Sequence, residues 1–466
     1  MNAARVFRVA VIGHTNAGKT SLLRTLVRDR AFGEVSSRPA TTRHVEAATL
    51  DLGDGHLLEL ADTPGLEDSM GLLDALHAAD PSPRASGAAR LQAFLDGPLA
   101  QTSFAQEAKA LRQLLASDLA LYVVDAREPV LGKYRDEFAI LASSGKPCLV
   151  VLNFTASPRA ETARWREALH GAGIHNVTAF DTVVFDAADE RRLWQQVGLL
   201  LPAAEATCAR LLARREQTRE RERRQAARLI AEALVDCAAL RVAIDAPGAE
   251  LATRVCRREA ALSRDLLALY RFAPEDYAGG ELPLASATWT LDPFDAELLK
   301  ELGFSLGTSA AKGAAAGALV DALTAFHSLG AATAIGGALG AGVDAVSRLV
   351  RRLREGGVDY AQIDAATARF IARRAVLLVR ELSRRGHAAQ TPLAARSELA
   401  MPLAGEAAIA KQLARAARHP AWSELGDDTD AEGDRDDCVQ TLSTLLDAAL
   451  AHELEGSTRY TDPAKE

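Results

Sequence analysis

One stretch constrains this chain more than any other: Gly13-His14-Thr15-Asn16-Ala17-Gly18-Lys19-Thr20-Ser21 satisfies G-x-x-x-x-G-K-[ST] without a mismatch. Its flanks supply the context the pattern needs. Residues 6–12 read as a buried strand, and residues 20–29 as the helix that opens after it. The glycines let the backbone wrap a phosphate chain so that successive N–H groups point inward. The helix N-terminus adds partial positive charge, the Lys19 ammonium reaches the β/γ-phosphates, and the Thr20 hydroxyl holds Mg²⁺. The competing reading is a glycine turn that binds nothing, and the strand before it and the helix after it weigh against that.

At 466 residues the chain holds two or three domains, the first large enough for its own core. Lys and Arg number 54 against 62 Asp and Glu, a net charge of −8, which makes nucleic acid an unexpected partner for the chain as a whole. The five cysteines are scattered without a CxxC pair, the usage of a reducing compartment with no zinc site. A strand begins within a few residues of Met1, leaving no room for a signal peptide. The expected location is cytoplasmic, with peripheral attachment at the inner membrane as the variant to weigh.

Up to Pro202, short β-rich runs alternate with helical stretches, as in a doubly wound parallel α/β sheet. Strands are expected over residues 6–12, 44–52, 56–61, 119–124, 148–153 and 177–185, and helices over 20–29, 105–116, 135–143, 159–170 and 188–200. Residues 67–99, punctuated by Gly, Ala and Pro, read as a loop-rich insertion. After Pro202 the expectation is an all-α region with no further strands. A long helix over 203–242 is crowded with Arg and Glu in its middle, the pattern of a solvated face laced by i,i+4 pairs. Helices are also expected over 360–385, 407–418 and 438–454, with an acidic loop from Gly426 to Asp437. The division reads as 1–202, 203–302, 303–350 and 351–466.

Residues 303–346 differ from everything else. No Asp, Glu, Lys or Arg lies between Asp321 and Asp344, and small residues recur four apart at Gly303/Gly307, Gly313/Gly317 and Gly336/Gly340. That spacing suits a Gly/Ala-rich apolar helical hairpin whose backbones approach closely. Large apolar residues are sparse, and Lys312, Asp321, His327 and Asp344 would be costly at mid-bilayer. Three readings stand: a transmembrane pair, a hairpin that enters or lies on a membrane conditionally, and a close-packed soluble hairpin.

Two further motifs follow the phosphate loop in chain order. The segment Arg38-Pro39-Ala40-Thr41-Thr42-Arg43-His44 precedes the second strand, where a mobile loop can bring a Thr hydroxyl to Mg²⁺ and the γ-phosphate. Asp62-Thr63-Pro64-Gly65 ends the third strand, with Asp62 able to hold Mg²⁺ through water and the Gly65 N–H able to bind the γ-phosphate. An ordinary polar loop and an ordinary turn are the bland alternatives. His14 reads as more solvent-facing than phosphate-touching, and His327 has no second ligand at metal spacing.

With these motifs the part before Pro202 resembles the translation-factor-related GTPases, in particular the Era/TrmE/EngA-like group. The strand from Leu119 to Ala126 and the run Gly145-Lys146-Pro147-Cys148 to Asn153 are similar to that group as well. The second half resembles, in composition and architecture, bacterial members with a C-terminal helical domain of unknown function. The resemblance implies Mg²⁺-dependent hydrolysis of GTP to GDP and phosphate. Gly13 to Ser21, Asp62 and Asn153 would bind nucleotide, Lys19, Thr42 and Gly65 would act in catalysis, and Thr20, Thr42 and Asp62 would hold Mg²⁺. It also implies a K⁺ ion at Asn16, supplying charge where other GTPases use an arginine finger.

Three places bear on how far the resemblance carries. Leu66 follows Gly65 where a glutamine would orient the attacking water, so Glu67, Asp68 or dimerisation across the nucleotide face would have to serve. The Asn-Lys-x-Asp motif, whose Asp reads guanine, is here Asn153-Phe154-Thr155-Ala156. Losing a charged acceptor costs ~1.5–3 kcal/mol, at least tenfold in discrimination. Phe185-Asp186-Ala187 replaces the usual Ser-Ala of the last base-contacting loop, which leaves that loop open, with Asp186 as one candidate for the missing carboxylate.

The function expected is a GTP-hydrolysing conformational switch. The alternatives are a nucleotide-regulated scaffold or membrane adaptor with negligible turnover, and a ribosome or RNA assembly factor. Expected partners are GTP and GDP, a second copy through the nucleotide face, and a membrane or membrane protein.

Overall fold

The computed structural model describes residues 5–28, 46–53, 55–79, 86–243, 249–272, 350–355, 358–384, 402–426 and 434–456. They fall into two compact units, Met1–Gln217 with Arg384–Ala389, and Thr218–Ser383 with Gln390–Glu466.

The first unit is a six-stranded sheet flanked by helices. Its strands are β1 (Arg5–Gly13), β2 (Glu46–Asp51), β3 (His56–Asp62), β4 (Leu119–Asp125), β5 (Cys148–Asn153) and β6 (Val177–Ala179), in the order β2-β3-β1-β4-β5-β6. Every pairing is parallel except β2 with β3. Strand β4 is buried at every position, the continuous apolar run of a strand covered on both faces. Alternation along β1 splits the core: Val9 and Val11 pack with Leu22, Leu60 and Trp194, while Ala10 and Ile12 pack with Leu72, Leu111 and Trp165. The helices are α1 (Lys19–Val27), α2 (Ser69–Ala79), α3 (Gly87–Asp96), α4 (Ala105–Ala116), α5 (Lys133–Ser143), α6 (Thr162–Gly171) and α7 (Ala187–Leu200).

Register places the chemistry. Val11 is opposite Asp62, Gly13 opposite Val123 and Asp125 opposite Asn153. The carboxyl ends of β3, β1, β4 and β5 therefore present Asp62, Gly13, Asp125 and Asn153 along one rim, where open α/β sheets bind ligands.

Two expectations for this unit need correction. The described residues of 67–99 are largely helical, because Leu72, Ala75, Leu76, Leu91, Phe94 and Leu95 are buried at helical spacing, and the Ser86 hydroxyl accepts from Ala89 N at 3.2 Å to start α3. The Gly, Ala and Pro content hid that periodicity. The strand expected over 177–185 stops at Ala179, because the Asp181 carboxylate draws in the N–H groups of Val183 (2.8 Å) and Val184 (2.9 Å) and turns the chain.

The second unit is mainly helical. Helix α8 (Glu205–Ala239) gives Cys208 and Leu211 to a core of the first unit and Ile230, Leu234 and Val235 to that of the second. Its charged middle carries the expected i,i+4 pairs, Arg224 with Glu220 and Arg228 with Glu232. Among the described residues it also holds helices α9 (Ala249–Leu269), α10 (Ala365–Arg384), α11 (Glu406–Ala416) and α12 (Asp434–Gly456).

A small antiparallel sheet was not expected here: β7 (Val242–Ala243), β8 (Val350–Glu355) and β9 (Val358–Ile363), in the order β7-β9-β8. The helix expected from 360 starts at Ala365. Ala361, Gln362 and Ile363 are all buried on β9, and Asp364 accepts from Thr367 N at 2.8 Å to begin the helix. The hairpin expected over 303–346 lies outside the described residues. Among the described residues no helix is long and apolar enough to cross a membrane.

Candidate nucleotide site

The loop between β1 and α1 owes its path to residues that tolerate unusual backbone. Gly18 has φ +90°, and a side chain there would run into the Asn153 amide. Asn16 sits at φ +65°, a left-handed conformation that Asn adopts more readily than most residues, with its side chain exposed. Lys19 is buried, and its Nζ donates to Gly13 O (3.2 Å) and His14 O (2.9 Å), curling the loop over the lysine. Burial lowers its pKa below the ordinary 10.5, against the opposing pull of Asp62, Glu137 and Glu67.

Beside it the Thr20 hydroxyl donates to Asp62 Oδ2 at 2.5 Å. Asp62 is buried, and that burial raises its pKa while the Thr20 hydrogen bond and the Lys19 charge oppose the rise. Thr63 fixes the end of β3 by donating through its hydroxyl to Val11 O at 2.8 Å. Gly65 lies against the Thr15 backbone so closely that a side chain would collide.

Leu66 donates its N–H to Gly13 O at 3.2 Å and is fully buried with Ile12 and Leu72. It is a core residue, which explains why a glutamine is not there. Glu67 and Asp68, equivalent in the sequence, are separated by the structure. Asp68 accepts from Gly71 N at 2.9 Å at the start of α2, whereas Glu67 accepts from the Thr15 hydroxyl at 3.2 Å, against the phosphate loop.

His14 is not solvent-facing, contrary to expectation. Its Nδ1 lies 3.1 Å from Glu137 Oε1, and the fully buried Glu137 accepts from the Tyr122 hydroxyl at 2.5 Å. Neither Glu137 nor Tyr122 carries a motif signal; each reads in sequence as an ordinary helix or strand residue. Ala17 is buried, and Ser21 is half-buried in the first turn of α1, its carbonyl accepting from the Thr25 hydroxyl at 3.0 Å. Thr42 and the rest of the 38–44 segment lie outside the described residues.

Asn153 joins three segments. Its Nδ2 donates to Ala17 O at 3.1 Å, and its Oδ1 accepts from Phe154 N (2.8 Å) and Thr182 N (3.0 Å). The loop that meets it is therefore Asp181-Thr182, directly after β6, and not Phe185-Asp186-Ala187. Asp186 is committed elsewhere: it accepts from Ala188 N at 2.7 Å as the N-cap of α7. Phe154 has φ +58°, and the Arg127 guanidinium lies 3.9 Å over its ring, held by the Asp125 carboxylate at 2.9 and 2.7 Å. The Ala156 N–H donates to Asp181 Oδ2 at 2.8 Å.

Among the described residues no three His, Cys, Asp or Glu side chains group as a metal site. Thr20 and Asp62 place two hard oxygen donors side by side, a donor set that fits Mg²⁺ when phosphate and water supply the remaining ligands.

A family model described as a domain of unknown function (DUF3482) matches residues 166–444, more than half of the chain. The chain belongs to the DUF3482 family. In this DUF3482 protein a second model, described as 50S ribosome-binding GTPase, matches residues 8–154, the part that holds the loop, Asp62 and Asn153. The N-terminal part is a GTPase domain of the TrmE/Era/EngA-like group. Among similar proteins is the tRNA modification GTPase MnmE of Symbiobacterium thermophilum, 31% identical over 183 residues (39% of this chain, 33% of that one). GTPase Der of Akkermansia muciniphila is 30% identical over 146 residues (31% of this chain, 25% of that one). The DUF3482 chain thus spans a third or less of the length of these curated relatives. Among solved structures, a point variant of Aquifex aeolicus Era bound to GDP.AlF4- aligns with 38% of this chain and 51% of its own, at 20% identity and a TM-score of 0.27.

Proposed function

We propose that the N-terminal unit binds GTP and hydrolyses it to GDP and phosphate as a conformational switch. The observation that carries this is the convergence, on one rim of the sheet, of the amide-lined loop, the buried Lys19 and the Thr20–Asp62 pair. Lys19 holds two loop carbonyls, and a triphosphate offers its ammonium stronger, charged acceptors in their place. The loop amides and the N-terminus of α1 act on the same charge. Thr20 and Asp62 would hold Mg²⁺, joined by Thr42 from the 38–44 segment; the ion supplies charge neutralisation between the phosphates. Gly65 lies close enough to Thr15 to offer its N–H to a γ-phosphate. Glu67, on the Thr15 hydroxyl, orients the attacking water in place of the side chain that Leu66 cannot provide.

Turnover by the purified full chain tests this. Phosphate release from GTP should require Mg²⁺ and run faster in KCl than in NaCl at equal ionic strength. The salt difference should vanish in Asn16→Ala, because the exposed Asn16 is the proposed K⁺ contact. A rate per molecule that climbs with protein concentration would support activation by a second copy. Equal rates in both salts would remove the cation-assisted step.

A membrane-adaptor reading rests on the charge-free run between Asp321 and Asp344. Its test is liposome sedimentation with GTP analogue and with GDP. Binding in one nucleotide state only supports a nucleotide-controlled adaptor, and binding in neither removes that reading. Sedimentation that persists through a carbonate wash in every state would instead indicate a permanent span.

A further inference from the structure

We infer that Asp181, on the loop after β6, is the carboxylate that reads the guanine base, in place of the acid missing at position 156. The inference rests on the GTP-binding reading above and names the base-specificity determinant of that site.

Position 156 is where the Asn-Lys-x-Asp pattern would put its acceptor, and Ala156 has none. Its backbone is nevertheless in contact with a carboxylate, since Asp181 Oδ2 accepts the Ala156 N–H at 2.8 Å. An acid has thus been brought to that place from a different loop. The loop is fixed to the same anchor, because the next residue, Thr182, donates its N–H to Asn153 Oδ1 at 3.0 Å.

Capacity and competition point the same way. An ionised carboxylate offers about four acceptor positions. Val183 N and Val184 N take two on Oδ1 and Ala156 N takes one on Oδ2, leaving one. The neighbouring acids serve other groups: Asp125 pairs with Arg127, Asp189 with Arg192, and Asp186 caps α7. Guanine presents two donors on its Watson–Crick edge, N1–H and the exocyclic amino group. Adenine presents an acceptor at N1, which a carboxylate repels. One remaining acceptor position gives guanine preference weaker than a bidentate acid would, worth roughly tenfold to a hundredfold.

Competition binding with GTP, XTP and ATP on the full-length protein decides the matter. Wild type should prefer GTP over ATP in that range. Asp181→Asn keeps an oxygen for Val183 and Val184 but turns Oδ2 into an N–H donor, which gives up the Ala156 N–H and matches the 2-oxo group of xanthine. GTP affinity should fall by about tenfold or more while XTP affinity rises. Should the loop suffer in that variant, Ala156→Asp with Asp181→Ser moves the acid back to position 156 and should restore preference for GTP. Equal losses of GTP and XTP in Asp181→Asn, or a wild type indifferent between GTP and ATP, would overturn the assignment while leaving phosphate binding intact. Failure of wild type to bind any nucleoside triphosphate would bring down the GTP-binding reading itself, and this assignment with it.

Discussion

Buried charge in the second unit contrasts with the Lys19–Asp62 region of the first, a unit that also holds a matched set in Glu190 with Arg28 and Arg215. In the second, buried charges are matched among themselves: Asp236 with Arg258 (2.9 Å) and Arg435 (3.0 Å), Glu259 with Arg374, and Glu406 with Arg373 at 2.7 Å. In the first, Lys19 is buried against loop carbonyls, and the pKa values of Lys19 and Asp62 are both moved by desolvation in the direction that disfavours charge. Matched pairs hold a fold together. Charges left partly uncompensated at a sheet rim hold a place for something else.

The largest expected effect tests the matched side. Arg374→Ala leaves Glu259 buried and unpaired, and should cost about 3–5 kcal/mol, read as faster hydrogen exchange in peptides from α9 and α10. Replacing both partners with apolar residues of similar volume should cost far less. If the single change is harmless, the pairs contribute little and the contrast between the units loses half its content.

Lys19→Ala probes the other side. Triphosphate affinity should fall by roughly a hundredfold, since contacts to a charged group are worth about 1.5–3 kcal/mol. The apo protein should unfold no earlier than wild type, because the change removes a buried ammonium. A fluorescent GTP analogue and a thermal melt measure both. Affinity within about twofold of wild type would break the phosphate-loop assignment.

Asp62→Asn should have the smallest effect on stability and sharpens the sign. A pKa raised by burial means the folded state favours the protonated acid. That contribution is fully present below the ordinary value of 3.8 and is lost as pH rises through the raised value, so the ionised group is a net cost at neutral pH. The amide should raise the apo melting temperature slightly at pH 7, and the gain should shrink as pH is lowered. It should also remove the additional stabilisation that Mg²⁺ gives to the GTP-bound form.

The phosphate end of the site was legible in sequence because its chemistry is local: Gly13 to Thr20 is one uninterrupted run from the end of β1 into the first turn of α1. The sheet was legible for the same reason, in runs such as Leu119–Asp125 that are buried throughout. The base end was not, because Asp181 and Ala156 meet across 25 residues of chain and only the fold brings them together. Glu137 was hidden in the same way, reaching His14 across 123 residues. Helices α2 and α3 were obscured by Gly, Ala and Pro, and the β7-β9-β8 sheet by strands of two to six residues, too short to show a period.

Asn153 answers backbone groups from the phosphate loop, its own strand end and the loop after β6 with one amide. A bolt shared by three plates cannot be loosened for one alone. A factor that pries the loop after β6 outward also takes a partner from the amide that steadies Ala17. A ligand spanning the rim should therefore leave in one kinetic step, its base and phosphate ends released together.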